Sequence, residues 1–150
     1  MKLRIKICCI SSLEEAALAV SHGADALGLV TEMPSGPGVI SDDLAREIAA
    51  VVPPAVASFL LTSRQDVAGL IEHQRLIRSN TLQIVDRLTQ GSYRELREAL
   101  PGIALVQVIH VSDEESFEEA LQIAPQVDAL LLDSGNQKLP VKLLGGTGKT

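Results

Sequence analysis

Residues 104–133 read ALVQVIHVSDEESFEEALQIAPQVDALLLD, and this stretch decides the fold. It opens on an apolar, β-branched run, Ala104–Val111, and closes on another, Ala129–Asp133. Between them Phe117, Ala120, Leu121 and Ala124 recur at i, i+3, i+4 and i+7, the period of a helix with one apolar face. Ser112 followed by Glu115 fits the S-x-x-E capping box that starts such a helix. Strand, helix, strand in so short a span is a βαβ unit, and its two strands must run parallel.

The same alternation extends to the N-terminus. Strands are expected at Leu3–Ile10, Ala24–Val30, Ala55–Leu61 and Thr81–Val85. They are apolar on both faces, as parallel strands under helices are. Leu13, Ala16, Ala17 and Val20 make one helical stripe; Leu44, Ile48 and Val51 make another. Val67, Leu70 and Ile71 begin a third, and Tyr93, Leu96 and Leu100 a fourth. Ser12 with Glu15 and Ser92 with Glu95 fit further capping boxes. Gly23 and the Pro101–Gly102 pair follow helices, where a stop belongs.

Two architectures use this order. A doubly wound sheet usually carries a glycine-rich turn after its first strand. Here that turn is Cys8-Cys9-Ile10-Ser11-Ser12, without glycine. A βα barrel needs no such turn and sets polar residues at the C-terminal ends of its strands. Cys8, Gln83, His110 and Asp133 stand at or near such ends. The reading is an α/β protein, a parallel βα barrel of the TIM type, in one domain over residues 1–150. A full barrel has eight units in roughly 250 residues. Six are legible, so the barrel is expected to be incomplete or open.

Composition narrows the function. The 150 residues are 46% hydrophobic with a net charge of −6, one Tyr, two Phe and no Trp. Nucleic-acid binders favour a basic face and stacking aromatics, so nucleic acid is not expected as a partner. No apolar run reaches membrane-helix length. The start, Met1-Lys2-Leu3-Arg4, runs directly into a strand and leaves no room for a signal peptide. The two cysteines, Cys8 and Cys9, are adjacent and face opposite sides of a strand, which suits a reduced, cytoplasmic protein better than a disulfide.

Each candidate side chain has a plain structural alternative. Asp133 can be an acid or base at the barrel mouth, or a loop cap. Cys8 can be a base as a thiolate, or a small buried apolar group. His110 can bind a ligand, or be satisfied by the next helix's N-terminus. His22 and His73 fall within helical segments and are expected to face solvent. The scattered histidines give no metal-ligand spacing. The run Gly145-Gly146-Thr147-Gly148-Lys149-Thr150 approaches a P-loop, but G-x-x-x-x-G-K-[ST] needs glycine at Leu143. A glycine loop over the site fits it better.

Lys6-Ile7-Cys8 followed by Ile10 resembles the K-I-C-G-I opening of phosphoribosylanthranilate isomerases. Gly23-Ala24-Asp25-Ala26-Leu27-Gly28 resembles their second strand, and Pro34 through Ile40-Ser41 their following loop. Leu82-Gln83 resembles the V-Q of their fourth strand. Leu130-Leu131-Leu132-Asp133 resembles their L-L-D, and Gly145 through Thr150 their G-G-T-G-K-T. The resemblance implies an eight-stranded βα barrel and an Amadori rearrangement in tryptophan biosynthesis, a branch of aromatic amino-acid biosynthesis. It implies no metal and no organic cofactor. Cys8 would be the general base at C2 and Asp133 the general acid at the ribose ring oxygen. Gln83, His110, Gly145 and Gly146 would bind a small phosphorylated sugar-amine.

The departures are as informative. Cys9 replaces the family's glycine. Gly38 stands where an arginine for the anthranilate carboxylate is usual. Val85 replaces a histidine, and Gln107 a common basic residue. The resemblance also implies two further βα units after Thr150, which carry phosphate-binding groups and close the sheet. The chain therefore reads as a fragment, weakly active alone, whose exposed edge strands could pair in a homo-oligomer. Two alternatives stand beside this reading: an isomerase or lyase acting on another phosphosugar, and a non-catalytic metabolite-binding barrel.

Overall fold

The computed structural model describes residues 3–134 apart from Ser35 and Pro37. Strands and helices alternate: β1 Lys6–Ile7, α1 Leu13–Ser21, β2 Ala26–Val30, α2 Asp42–Val51, β3 Ala57–Thr62, α3 Val67–Ile77, β4 Thr81–Ile84, α4 Tyr93–Ala99, β5 Ala104–His110, α5 Glu114–Ile123 and β6 Ala129–Asp133. A 3₁₀ turn at Ala124–Gln126 links the last two.

The six strands form one parallel sheet in the order β1-β2-β3-β4-β5-β6. Sequential order is that of a barrel; a doubly wound sheet reverses direction part-way. Packing agrees. Leu27, Leu29, Leu60, Leu82, Ile84 and Leu105 bury one face of the sheet against the helices, meeting Ala16, Ile48, Leu70 and Leu96. The other face carries Val30, Leu61, Val85 and Val108 with Phe59 and Leu131, and no helix residue joins them. All helices on one face, with strand side chains packed together on the other, is how a barrel wall separates its outside from its interior.

The N-terminal rim is held by a repeated device. Asp25 accepts from Ile5 N–H at 2.9 Å, Asn80 from Ser58 N–H at 2.9 Å, and Asp128 from Leu105 N–H at 2.8 Å. Each polar side chain precedes an even-numbered strand and pins the start of the strand before it.

Several expectations change. β1 is two residues long, because Cys9 enters the left-handed region (φ 61°) and breaks the pleat just after Cys8. Helix α5 is capped one residue later than expected. Asp113 accepts from Ser116 N–H at 3.2 Å, and Ser116 Oγ accepts in turn from Asp113 N–H. Ser12 caps α1, but Glu15 reaches back to Ser11, accepting from its N–H at 2.7 Å. The Ser92–Glu95 box forms in full. On α5 the apolar stripe points outward, with Phe117 65% and Leu121 56% exposed, while Ser116 turns inward. Val51 is also exposed.

His73 does not face solvent. It is 1% exposed, within hydrogen-bond reach of Thr31 Oγ1 (3.2 Å) and Thr62 Oγ1 (3.2 Å). Its Nε2 lies 3.1 Å from Asp42 Oδ1. The ring joins the end of β3 to both ends of the β2–α2 loop. His22 does lie at the surface, as the C-cap of α1.

Candidate active site

Alternation along each strand sorts the candidates by face. Leu82 and Ile84 face the helices, so Gln83 faces the interior. Val108 and Leu131 face the interior, and so do His110 and Asp133, two residues further on. Cys8 shares a face with Lys6, whose ammonium lies 5.2 Å from the centroid of the interior Phe59 ring. Cys8, Gln83, His110 and Asp133 thus share the concave face, near the C-terminal ends of β1, β4, β5 and β6.

His110 and Asp133 are register partners across β5 and β6. His110 Nε2 lies 2.8 Å from the carbonyl of Val85. A carbonyl only accepts, so Nε2 carries the proton. Nδ1 is buried and has no hydrogen-bond partner among the described residues. The expectation that the next helix would satisfy this ring is corrected: Ser116 Oγ donates to His110's backbone oxygen instead. In the neutral ring Nδ1 is therefore an acceptor aimed at nothing in the described chain.

Gln83 is 4% exposed, and its Oε1 is the other buried orphan among the described residues. An unmet buried polar atom costs about 1–3 kcal/mol. Two on the same concave face suit a cavity that receives hydrogen-bonding groups. Asp133 is half-buried and caps its own turn, accepting from Ser134 N–H at 2.7 Å. Cys8 is exposed, and its Sγ would lie 2.8 Å from any Cβ added at Gly28, so β2 makes room for it with a glycine.

Gln107 is not a mouth residue. It faces α4, accepting from Tyr93 O–H at 2.8 Å and donating to Asp86 O at 3.1 Å. Its difference from the expected basic residue therefore does not bear on the cavity. Gly145 and Gly146 lie outside the described residues. Lys6 joins the interior face as well, a position that its i, i+2 spacing from Cys8 makes legible in the sequence. Among the described residues no group of three metal-ligating side chains gathers, and no helix is long and apolar enough to cross a membrane.

No family model matches the chain. Curated relatives do. It is 30% identical to the N-(5'-phosphoribosyl)anthranilate isomerase of Methanocella arvoryzae over 135 residues, 90% of this chain and 63% of the relative. It is 31% identical to that of Methanothrix thermoacetophila over 148 residues, 98% of this chain and 66% of the relative. The chain is similar in sequence and in fold to phosphoribosylanthranilate isomerases. It spans a little under two thirds of the length of these curated relatives. The phosphoribosylanthranilate isomerase of Thermotoga maritima superposes with a TM-score of 0.71 at 28% identity, over 88% of this chain and 62% of that one. A phosphoribosylanthranilate isomerase in complex with reduced 1-(o-carboxyphenylamino)-1-deoxyribulose 5-phosphate matches equally, with a TM-score of 0.71 at 28% identity, over 88% of this chain and 65% of that one. The curved sheet of six strands thus matches part of the TIM-type barrel of these phosphoribosylanthranilate isomerase structures.

Proposed function

We propose that this chain carries the acid–base groups of a phosphoribosylanthranilate isomerase, rearranging an N-phosphoribosyl amine to an aminoketose phosphate in tryptophan biosynthesis. The observation that carries the reading is the placement of Cys8 and Asp133 on one concave face, at the C-terminal ends of β1 and β6. Active groups of βα barrels sit at that end. The names of the curated relatives and the phosphorylated ligand of one structural neighbour support it.

The chemistry needs two proton transfers. Asp133, as the acid, gives a proton to the ribose ring oxygen, and the ring opens to an iminium. Cys8, as a thiolate, removes the proton from C2, giving an enolamine that tautomerises to the ketone. Gln83 Oε1 and His110 Nδ1 accept hydrogen bonds from sugar hydroxyls. His110 also brings an imidazole beside Val85, from the neighbouring strand. Gly145 and Gly146, outside the described residues, are assigned to substrate binding from the sequence resemblance alone.

A second reading concerns the aglycone. Gly38 abuts Cys9, with no space for a side chain there. That favours an amine without the anthranilate carboxylate over anthranilate itself.

The test is an isomerisation assay of the 150-residue chain, alone and fused to the C-terminal third of the Methanocella relative, on phosphoribosyl amines with and without a carboxylate. Cys8→Ser and Asp133→Asn should each lower the fused enzyme's rate by roughly 10²–10⁴-fold, the scale of general acid–base catalysis. Equal background rates in all three proteins overturn the proposal.

A further inference from the structure

Lys6 lies on the interior face with no counter-charge among the described residues. Its ammonium sits 5.2 Å from the Phe59 ring centroid. Among the described residues it forms no ion pair, and no carboxylate caps it. Cys8 stands two residues on, on the same face. A Cβ built on Gly28 would meet Cys8 Sγ at 2.8 Å and Lys6 Nζ at 3.2 Å, so thiol and ammonium converge on the same bare patch of β2.

The other groups around this point are few. On the interior face β2 offers only Ala26, Gly28 and Val30. The β2–α2 loop meets Cys9 through Gly38, which is uncharged. Cys9 adjoins on the same strand; burial pushes its thiol up, negative charge on Cys8 adds to this, and Lys6 opposes it. Glu15 on α1 is the nearby negative charge, already held by Ser11. One cation with no ion pair among the described residues and one thiol thus share a glycine-lined niche.

We propose that Lys6 is a positioning residue for the Cys8 thiolate: its ammonium, seated on Phe59 and given room by Gly28, is the thiolate's counter-ion. An adjacent cation favours the anionic sulfur, the form that both attacks electrophiles and accepts a proton. The aromatic face below holds the ammonium in place without neutralising it, as a carboxylate would. The proposal deepens the assignment of Cys8 as base and rests on it for its catalytic meaning. Its physical content can be tested without turnover.

The experiment measures alkylation of Cys8 by iodoacetamide at neutral pH in the 150-residue chain. Peptide mass spectrometry separates Cys8 from Cys9, and thiolate absorbance at 240 nm is read in parallel. Lys6→Met should slow Cys8 alkylation about 10-fold or more, because the thiolate loses its neighbouring cation, and lower the absorbance. Lys6→Arg should retain both. Unchanged Cys8 reactivity in a folded Lys6→Met chain, or an equal loss in Lys6→Arg, overturns the proposal. If Lys6→Met does not fold, the Nζ resonance of Lys6 in ¹⁵N-lysine-labelled protein decides. It should move on Cys8→Ser, which is close in shape and uncharged, and an unmoved resonance overturns the proposal. Full isomerase activity of Cys8→Ser overturns the base assignment instead, and is told apart because alkylation and resonance shift do not depend on turnover.

Discussion

Cys9 and Gly38 fit one another across the barrel mouth. A Cβ built on Gly38 would clash with Cys9 Cβ and lie 3.1 Å from both its Cα and Sγ. Both residues hold left-handed backbone, φ 61° for Cys9 and 77° for Gly38. Where the family pattern has glycine then arginine, this chain has a side chain then none. One substitution occupies the room that the other vacates.

That pairing should appear as energetic coupling. Cys9→Gly alone should be near neutral: relief of left-handed backbone, about 1–2 kcal/mol, is offset by glycine's greater chain entropy, about 0.5–1 kcal/mol, and by lost packing. Gly38→Ala should destabilise strongly in the parent and less in the Cys9→Gly background. Urea denaturation of the four proteins checks this, with a coupling of at least ~1 kcal/mol expected for contacting residues.

Tyr93 gives a clean pH readout. Burial, reinforced by Glu119, pushes its phenol up to about 12. The raised value means that the folded state favours the neutral phenol. Its stabilisation is fully present below pH ~10, the unfolded value, and is lost between there and about 12. As the only tyrosine, in a chain without tryptophan, it should show phenolate absorbance appearing late, together with unfolding. Tyr93→Phe should abolish this alkaline loss. It should also cost about 1 kcal/mol at neutral pH, because Gln107 Oε1 loses its donor.

His73 is a structural clamp. His73→Leu should cost about 1–3 kcal/mol by removing the ring's hydrogen bonds to Thr31, Thr62 and Asp42. That corresponds to roughly 2–4 °C of Tm per kcal/mol at this chain length. Proteolysis within residues 31–41 should quicken at the same time, since the ring ties both ends of that loop.

The start of α5 separates two readings of one segment. Asp113→Ala should cost about 1 kcal/mol in thermal unfolding, as loss of an N-cap does. Ser112→Ala should cost less, because Ser112 Oγ makes no bond to a helix N–H. The reverse order would place the cap at Ser112.

Much of the barrel was legible in the residues because its signals are local. Parallel strands buried on both faces show as short apolar runs, and helices show as 3.6-residue stripes between them. β6 lies where its Ala-Leu-Leu-Leu-Asp run predicts. Cys8, Gln83, His110 and Asp133 were recognisable as polar residues closing such runs. What failed was orientation. Phe117 and Leu121 mark a helix correctly, but their stripe faces outward, because only packing decides which face turns to the sheet. His73 occupies a helical position that periodicity leaves open, and it is buried because Thr31, Asp42 and Thr62 arrive from elements far away in sequence. Gln107 stands where a basic residue is common in the resembled family, and the strand's alternation turns it towards α4.

The sequence by itself determined the alternation of elements, their parallel direction and the polar residues at the strand ends, because each follows from side chains within one element. Only the tertiary structure decided the company those residues keep. The close approach of Gly38 to Cys9, the orphaned acceptors of Gln83 and His110, and the niche shared by Lys6 and Cys8 all join separate elements or depend on the strand's twist at Cys9. Contacts of that kind arise from register and close packing across the sheet, which no local pattern encodes.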